Sequence, residues 1–170
     1  MLLGPILTVA LAAAMADAQT VVPDHQADIE SAVFDLCPRI YTGEVSLTDP
    51  AQVLGIGYKA TGPRITPGGK IPRAEMGEGA TKIVVAGQAG ADPSCSVWFG
   101  GPDSNKQVGY MLTAAGKAGF AISSPMQLGD GTLMLKASRK AGPYTSMAVI
   151  VGDAGGEFGS TPAATVILLK

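Results

Sequence analysis

The apolar positions along the chain follow first a helical period and later the pattern of strands. The helical part is a set of apolar residues spaced as one face of a 3.6-residue period. These residues are Ile29, Val33, Leu36 and Ile40. Either Asp24 or Asp28 is suited to cap this helix, and Pro38 predicts that its last turn does not continue unbroken. A shorter helix is predicted over residues 49–54, where Pro50 holds the favoured first position.

Beyond residue 82, apolar residues gather in short runs separated by turn residues, which is the pattern of strands. A helix over residues 104–117 interrupts them, and a Gly-Asp-Gly turn at 129–131 and a Gly-rich loop at 152–162 join later runs. The predicted strands are residues 82–86, 94–99, 120–128 with an interruption at Pro125, 132–137, 144–151 and 164–169. Strands joined by turns with helices outside them favour an antiparallel sheet. We therefore predict an α+β fold with about five to seven short strands and two or three helices packed on the sheet.

Residues 59–73 differ from the rest of the chain in composition. They carry four basic residues, and no acidic residue occurs between Asp49 and Glu75. Gly62-Pro63 and Pro67-Gly68-Gly69 interrupt the segment, which predicts a loop. Its cations are candidate contacts for an acidic partner, although charges of this kind also serve only to keep a loop solvated. The four residues are Lys59, Arg64, Lys70 and Arg73.

The N-terminal stretch has the features of an export signal. Residues 2–15 are almost wholly apolar and uncharged, and they end in Ala16-Asp17-Ala18. A run of this length suits a signal peptide, since a membrane-spanning helix needs roughly 20 residues. The first basic side chain is Arg39, so either the usual basic segment is minimal or the true start lies upstream. We expect a signal peptide over 1–18, a mature chain of one domain over 19–170 in the periplasm or outside the cell, and no transmembrane segment after cleavage.

Two cysteines, Cys37 and Cys95, are separated by 58 residues. An isolated pair in an oxidising compartment usually forms a disulfide, and closing a loop of this length contributes roughly 4 kcal/mol in the chain-entropy model. A metal-binding or reactive thiol has less support, because the chain has no C-x-x-C motif and its only histidine is His25. The disulfide is expected to tie the first helix to the sheet.

Charge and motif content exclude several classes of function. Removing residues 1–18 takes Asp17 away, which leaves 13 acidic against 12 basic residues, a net charge of −1. That balance argues against a nucleic-acid partner. No spacing of His, Cys and carboxylates suits a metal, no nucleophile motif is present, and the Gly-rich segment 100–104 lacks the phosphate-loop frame. We therefore expect no cofactor.

Two features remain as candidates for contact or chemistry. Glu75 and Glu78 are a pair of carboxylates three residues apart, and a glycosidase needs two such groups facing one sugar. Trp98 and Phe99 are adjacent, so on a strand they face opposite sides of the sheet. The sequence favours an exported, non-catalytic module that binds a protein or a glycan. The alternative is a histidine-independent envelope enzyme that acts on glycans through carboxylates, and the oligomeric state is left open.

Overall fold

The computed structural model describes residues 25–100, 104–128, 132–152 and 163–169. Several features predicted from the sequence lie outside these residues. They are the signal peptide at 1–18, the cleavage position before Gln19, the candidate cap Asp24, residues 101–103 of the segment 100–104, the turn at 129–131 and residues 153–162 of the Gly-rich loop.

The first helical run comprises α1 (Gln26–Ser31), a π-helical turn (Ala32–Leu36) and α2 (Cys37–Thr42). We call this run the N-terminal helix. All four apolar residues that predicted it are buried, and Gly43, with a φ of 79°, ends it in the left-handed conformation that glycine adopts without strain.

Pro38 does not end the helix, because a π-helical turn accommodates it. Proline has no N–H to donate to the preceding turn. The N–H of Cys37 bonds the carbonyl of Ala32, five residues earlier, which is the pattern of a π-turn. The carbonyl of Val33 instead accepts the hydroxyl of Tyr144 at 3.0 Å. The expected interruption therefore takes the form of a change in hydrogen bonding within a continuing helix.

The second helix, α3 (Pro50–Gly55), begins as the sequence predicts. The carboxylate of Asp49 accepts hydrogen bonds from the backbone N–H groups of Ala51 at 2.9 Å and Gln52 at 3.3 Å. These groups have no partner within a helix, so the side chain caps it.

The remaining elements are one long helix and nine strands within the described residues. The strands form a single antiparallel sheet in the order β1-β2-β3-β4-β9-β8-β7-β5, with β6 paired to β7. The elements are β1 (Lys59–Thr66), β2 (Gly69–Met76), a 3₁₀ turn (Gly79–Thr81), β3 (Ile83–Gln88), β4 (Ser94–Gly100), α4 (Ser104–Lys117), β5 (Ala121–Ile122), β6 (Met126–Gln127), β7 (Leu133–Ser138), β8 (Ser146–Gly152) and β9 (Ala163–Leu169). The α+β class is confirmed, and the strand number exceeds the expected one because of the β1–β2 hairpin and the two-residue strands β5 and β6.

The sheet is built from two halves with the same topology. In residues 26–100 the N-terminal helix precedes β2, β3 and β4, and in residues 104–169 α4 precedes β7, β8 and β9. The last strand of each half lies in the middle of the sheet, where β4 and β9 pair. We call residues 26–100 the first half and residues 104–169 the second half.

The helices cover one face of the sheet and enclose the main core. Buried side chains of β3, β4, β8 and β9 alternate toward the helices and pack with Met111 of α4. Cys37 and Cys95 are both buried and bonded, with Cα atoms 5.7 Å apart. The predicted disulfide is therefore confirmed, and it joins the N-terminal helix to β4. Phe99 belongs to this core, while Trp98 lies on the opposite face.

The expectation of a loop over residues 59–73 is wrong, because this segment forms most of the β1–β2 hairpin. The two strands pair in register from Lys59 opposite Glu75 to Thr66 opposite Gly69, with a shift between Thr61 and Arg64. Gly62-Pro63 lie at that shift, and β1 is the edge strand of the sheet, where a missing N–H and an irregularity are tolerated. Pro67-Gly68 thus form the turn of the hairpin, and Gly62-Pro63 lie at an irregularity of its edge strand.

Candidate binding surface

The face of the sheet away from the helices, called here the outer face, carries a small core of its own. Val84, Ala86 and Trp98 are buried together, and Ile71 packs against them. Only the last four residues of β2 pair with β3, so the rest of the hairpin projects past it. The contact of Ile71 with Trp98 and its neighbours places this projecting part over the outer face. We call residues 59–76 the arm.

Arg64 of the arm lies directly on the Trp98 ring. Its guanidinium carbon is 4.4 Å from the ring centroid, and Trp98 is only 5% exposed. A cation over an indole ring is worth about 0.5–2 kcal/mol. One nitrogen, Nη1, is buried without a hydrogen-bond partner, which costs about 1–3 kcal/mol. The two effects are of similar size and opposite sign, so the position of Arg64 on the ring gives little net stabilisation and leaves one hydrogen-bond donor unused.

The strand register places three of the four candidate cations on the outer face. Cross-strand partners in an antiparallel pair share one face. Lys59 lies opposite Glu75, which lies opposite Val84 of the outer-face core. By the same reasoning Arg73, opposite Ala86, lies on that face.

Lys70 is the exception among the four. It precedes Ile71 in β2 and pairs with Ile65, so it lies on the other side of the arm. The side chains of Arg64 and Arg73 are half-buried, and those of Lys59 and Lys70 are exposed. The structure therefore brings Lys59, Arg64 and Arg73 together and separates Lys70 from them.

Hydrogen bonds hold the base of the arm in place. The Nε of Arg73 donates to the hydroxyl of Thr61 at 2.9 Å, and the ammonium of Lys82 lies 3.3 Å from the carboxylate of Glu75. Acidic side chains lie mainly elsewhere, since residues 25–58, which include the N-terminal helix, carry five acidic residues and one arginine. The outer face around the arm is thus the basic part of an acidic molecule.

In the second half, the outer face carries aliphatic side chains beside the polar residues Lys136, Ser138 and Ser146. Outer-face residues of β7, β8 and β9 align with Trp98 and Ser96 through the continuous register of the sheet. They include Met134, Ala148, Ile150, Thr165, Ile167 and Leu169. Leu169 is 48% exposed, and Ile150 and Ile167 are half-buried. A depression of about 390 Å³ opens at the end of these strands, lined in part by Lys136 and Leu169.

The carboxylate pair of the alternative hypothesis lies at a different cavity. Glu75 and Glu78 line a cavity of about 440 Å³ with Tyr58 and Lys82. Glu75 is tied to Lys82 by the ion pair described above. Burial, with a smaller effect of Asp28, raises the pKa of Tyr58 to about 12, so this hydroxyl stays protonated at neutral pH and is a poor base.

The described part of the chain gives little support for a histidine-based or metal-based site. The Nδ1 atom of His25 lies 3.2 Å from the carboxylate of Asp28, a local contact across one helical turn. No group of three His, Cys, Asp or Glu side chains among the described residues is arranged to hold a metal ion. Within the same residues, no helix is both long and apolar enough to cross a membrane.

Sequence reasoning missed the pairing of Arg64 with Trp98. Each residue was singled out alone, but their contact depends on a hairpin that was interpreted as a loop. The available signal was the Pro67-Gly68 pair between two segments that each contain an isoleucine, Ile65 and Ile71, which is typical of a tight turn between strands.

Comparison of the chain with known proteins finds no matching family model, no similar curated protein and no similar solved structure.

Proposed function

We propose that this protein is a binding module that recognises acidic groups of a partner, a protein or a glycan, through the outer face of its sheet. The observation that carries the proposal is Arg64, whose guanidinium lies over the Trp98 ring with Nη1 buried and unpartnered. A guanidinium with an unused donor is suited to bind a planar acidic group, because its N–H groups match the two oxygens of a carboxylate. Arg73 and Lys59 on the same face add positive charge.

The proposed setting is outside the cytoplasm, after removal of residues 1–18. The buried disulfide between Cys37 and Cys95 is compatible with that setting, since such bonds persist in oxidising compartments. Nothing in the proposed role requires a cofactor or a catalytic step.

The test is retention of envelope components by immobilised mature protein at increasing salt. The variant Arg64→Gln/Arg73→Gln removes two outer-face cations, and Lys70→Gln removes one cation from the other side of the arm. We expect the double variant to lose retention and salt dependence, because exposed charges act over about 10 Å at 0.1 M salt. The Lys70→Gln control should behave as the unmodified protein. Equal loss in both variants would mean that only overall charge matters.

The alternative, a glycan-active enzyme, has one observation in its favour, the cavity shared by Glu75 and Glu78. It predicts release of sugar fragments from envelope glycans, abolished separately by Glu75→Gln and Glu78→Gln. The binding proposal predicts no release above buffer for any of these proteins. Reducing ends measured in parallel for the three proteins decide between the two functions.

A further inference from the structure

We infer that the partner is a protein surface with carboxylates beside aliphatic side chains, and that a carboxylate of this partner draws the Arg64 guanidinium off the Trp98 ring. This inference rests on the proposed function and specifies its partner. It concerns the whole outer face, from the basic arm to the aliphatic second half.

The side chains of the outer face favour a protein over a glycan. Sugars bind well where an exposed aromatic ring offers a flat surface. Among the described residues of the outer face Trp98 is the one aromatic side chain, and it is packed within the outer-face core and only 5% exposed. Beyond it the surface continues through Ile150, Ile167 and Leu169, and an apolar surface beside arginine is typical of protein interfaces.

Charge complementarity specifies the rest of the partner. The arm presents Lys59, Arg64 and Arg73 on this face, and Lys136 lies on the same face at the far side, in β7. On the same face, the carboxylate of Glu75 is paired with the ammonium of Lys82. A partner that covers the aliphatic strands would therefore meet cations on both sides of them, so its contact surface should be acidic at its margins.

Arg64 must move to complete this interface. A carboxylate accepts two parallel N–H bonds from one guanidinium, in the plane of that group. The Nη1 atom is buried and without a partner while the guanidinium lies on the ring. Turning the guanidinium outward lets Nη1 find an acceptor and removes the cation from the Trp98 ring, which stays packed against its neighbours in the outer-face core. Because Trp98 is the only tryptophan of the chain, its fluorescence reports this step directly.

The experiment compares three probes on the mature protein. They are a synthetic peptide alternating Glu with Leu, a peptide of the same length alternating Glu with Ser, and heparin. We expect the Glu-Leu peptide to bind about tenfold more tightly than the Glu-Ser peptide, because its leucines bury apolar surface on β8 and β9. Both peptides should change the emission of Trp98.

Variants separate the two parts of the inference. Ile150→Ser/Ile167→Ser should reduce binding of the Glu-Leu peptide to the level of the Glu-Ser peptide. Arg64→Lys keeps the charge but lacks the planar pair of donors, so the emission change should be lost. Lys70→Gln, on the other side of the arm, should match the unmodified protein. Thermal melting by circular dichroism shows that each variant is folded.

Each outcome tests a different part of the inference. Heparin binding more tightly than both peptides, without dependence on Ile150 and Ile167, would overturn the protein partner and leave the proposed recognition of acidic groups standing. Peptide binding without a change in Trp98 emission would overturn the movement of Arg64. If none of the three probes binds, or if their binding does not depend on Arg64, the proposed function itself is overturned.

Discussion

The two halves of the sheet share a topology but differ in how their helices are attached and in what lies on their outer faces. The N-terminal helix is bonded to β4 through the disulfide, while α4 is held by packing of Val108, Met111 and Ala115. The arm covers the outer face in the first half, where Trp98 is buried. In the second half Leu169 at the equivalent surface is 48% exposed. Equal topology thus leaves an outer face covered by the basic arm in one half and an uncovered apolar outer face in the other.

This difference suggests a division of roles between the halves. The first half supplies a rigid frame and a positioned cation, and the second half supplies an open apolar surface. Changes to the frame should therefore cost stability, and changes to the outer face should cost binding alone.

The largest expected effect comes from removing the disulfide. Cys37→Ala/Cys95→Ala should lower the free energy of unfolding by about 4 kcal/mol, because the unfolded chain regains the freedom of a long loop. Urea unfolding of both proteins measures the loss. Reducing agent should bring the unmodified protein to the same midpoint and leave the variant unchanged. An equal midpoint for both proteins without reductant would show that the frame of the first half does not depend on this bond.

Alkaline pH should destabilise both halves, because each contains buried tyrosine with a raised pKa. Burial raises the pKa of Tyr58 and of Tyr144 to about 12, from an ordinary value of 10.0. The unfolded chain releases these protons at lower pH than the folded one. The stabilising contribution is therefore complete below pH 10 and is lost as the pH rises toward 12. Melting temperatures recorded across this range should fall steeply, and less so in Tyr58→Phe. A flat profile would contradict the assignment.

A smaller loss is expected from breaking one hydrogen bond between the halves. Tyr144→Phe keeps the ring but leaves the carbonyl of Val33 without the hydroxyl that it accepts in the structure. An unsatisfied buried carbonyl costs about 1–3 kcal/mol. The matched change Tyr41→Phe removes the bond of 2.6 Å to the carbonyl of Leu168 and should cost a similar amount. Denaturant unfolding of both single variants and the double variant tests whether the two bonds act independently.

The smallest effect on stability should come from Arg64. Its contact with Trp98 and its unpartnered nitrogen oppose each other, so Arg64→Gln is expected to change the free energy of unfolding by under about 1 kcal/mol. The test is a melting curve beside that of Lys70→Gln. A large loss for Arg64→Gln alone would mean that the arm is part of the frame and not of the binding surface.

The sequence was sufficient to predict those features of the fold that depend on local periodicity or residue type. The buried face of the N-terminal helix, the start of α3 at Asp49-Pro50, most strands and the pairing of Cys37 with Cys95 follow from spacing and residue type. The form of the interruption at Pro38 was less accessible, because the carbonyl of Val33 finds its partner in Tyr144, from the other half of the chain.

The candidate surface could be predicted only in part. The basic residues were identified by composition, but their faces depend on the register of β1 with β2 and of β2 with β3. Gly62-Pro63 suggested a loop because composition does not distinguish an irregular edge strand from a segment without pairing. The contact of Arg64 with Trp98 joins two distant segments, and no local pattern encodes it.

The central position of β9 has a consequence for when the chain can fold. β9 follows every other described strand in the sequence, yet it pairs with both β4 and β8 and accepts the hydroxyl of Tyr41 from the N-terminal helix. During synthesis the first half therefore emerges before β9, the strand that pairs with β4. The sheet is complete only after residues 163–169 have been made. Such dependence on distant pairing slows folding. A chain with this topology is therefore expected to complete its sheet only after its synthesis is nearly finished.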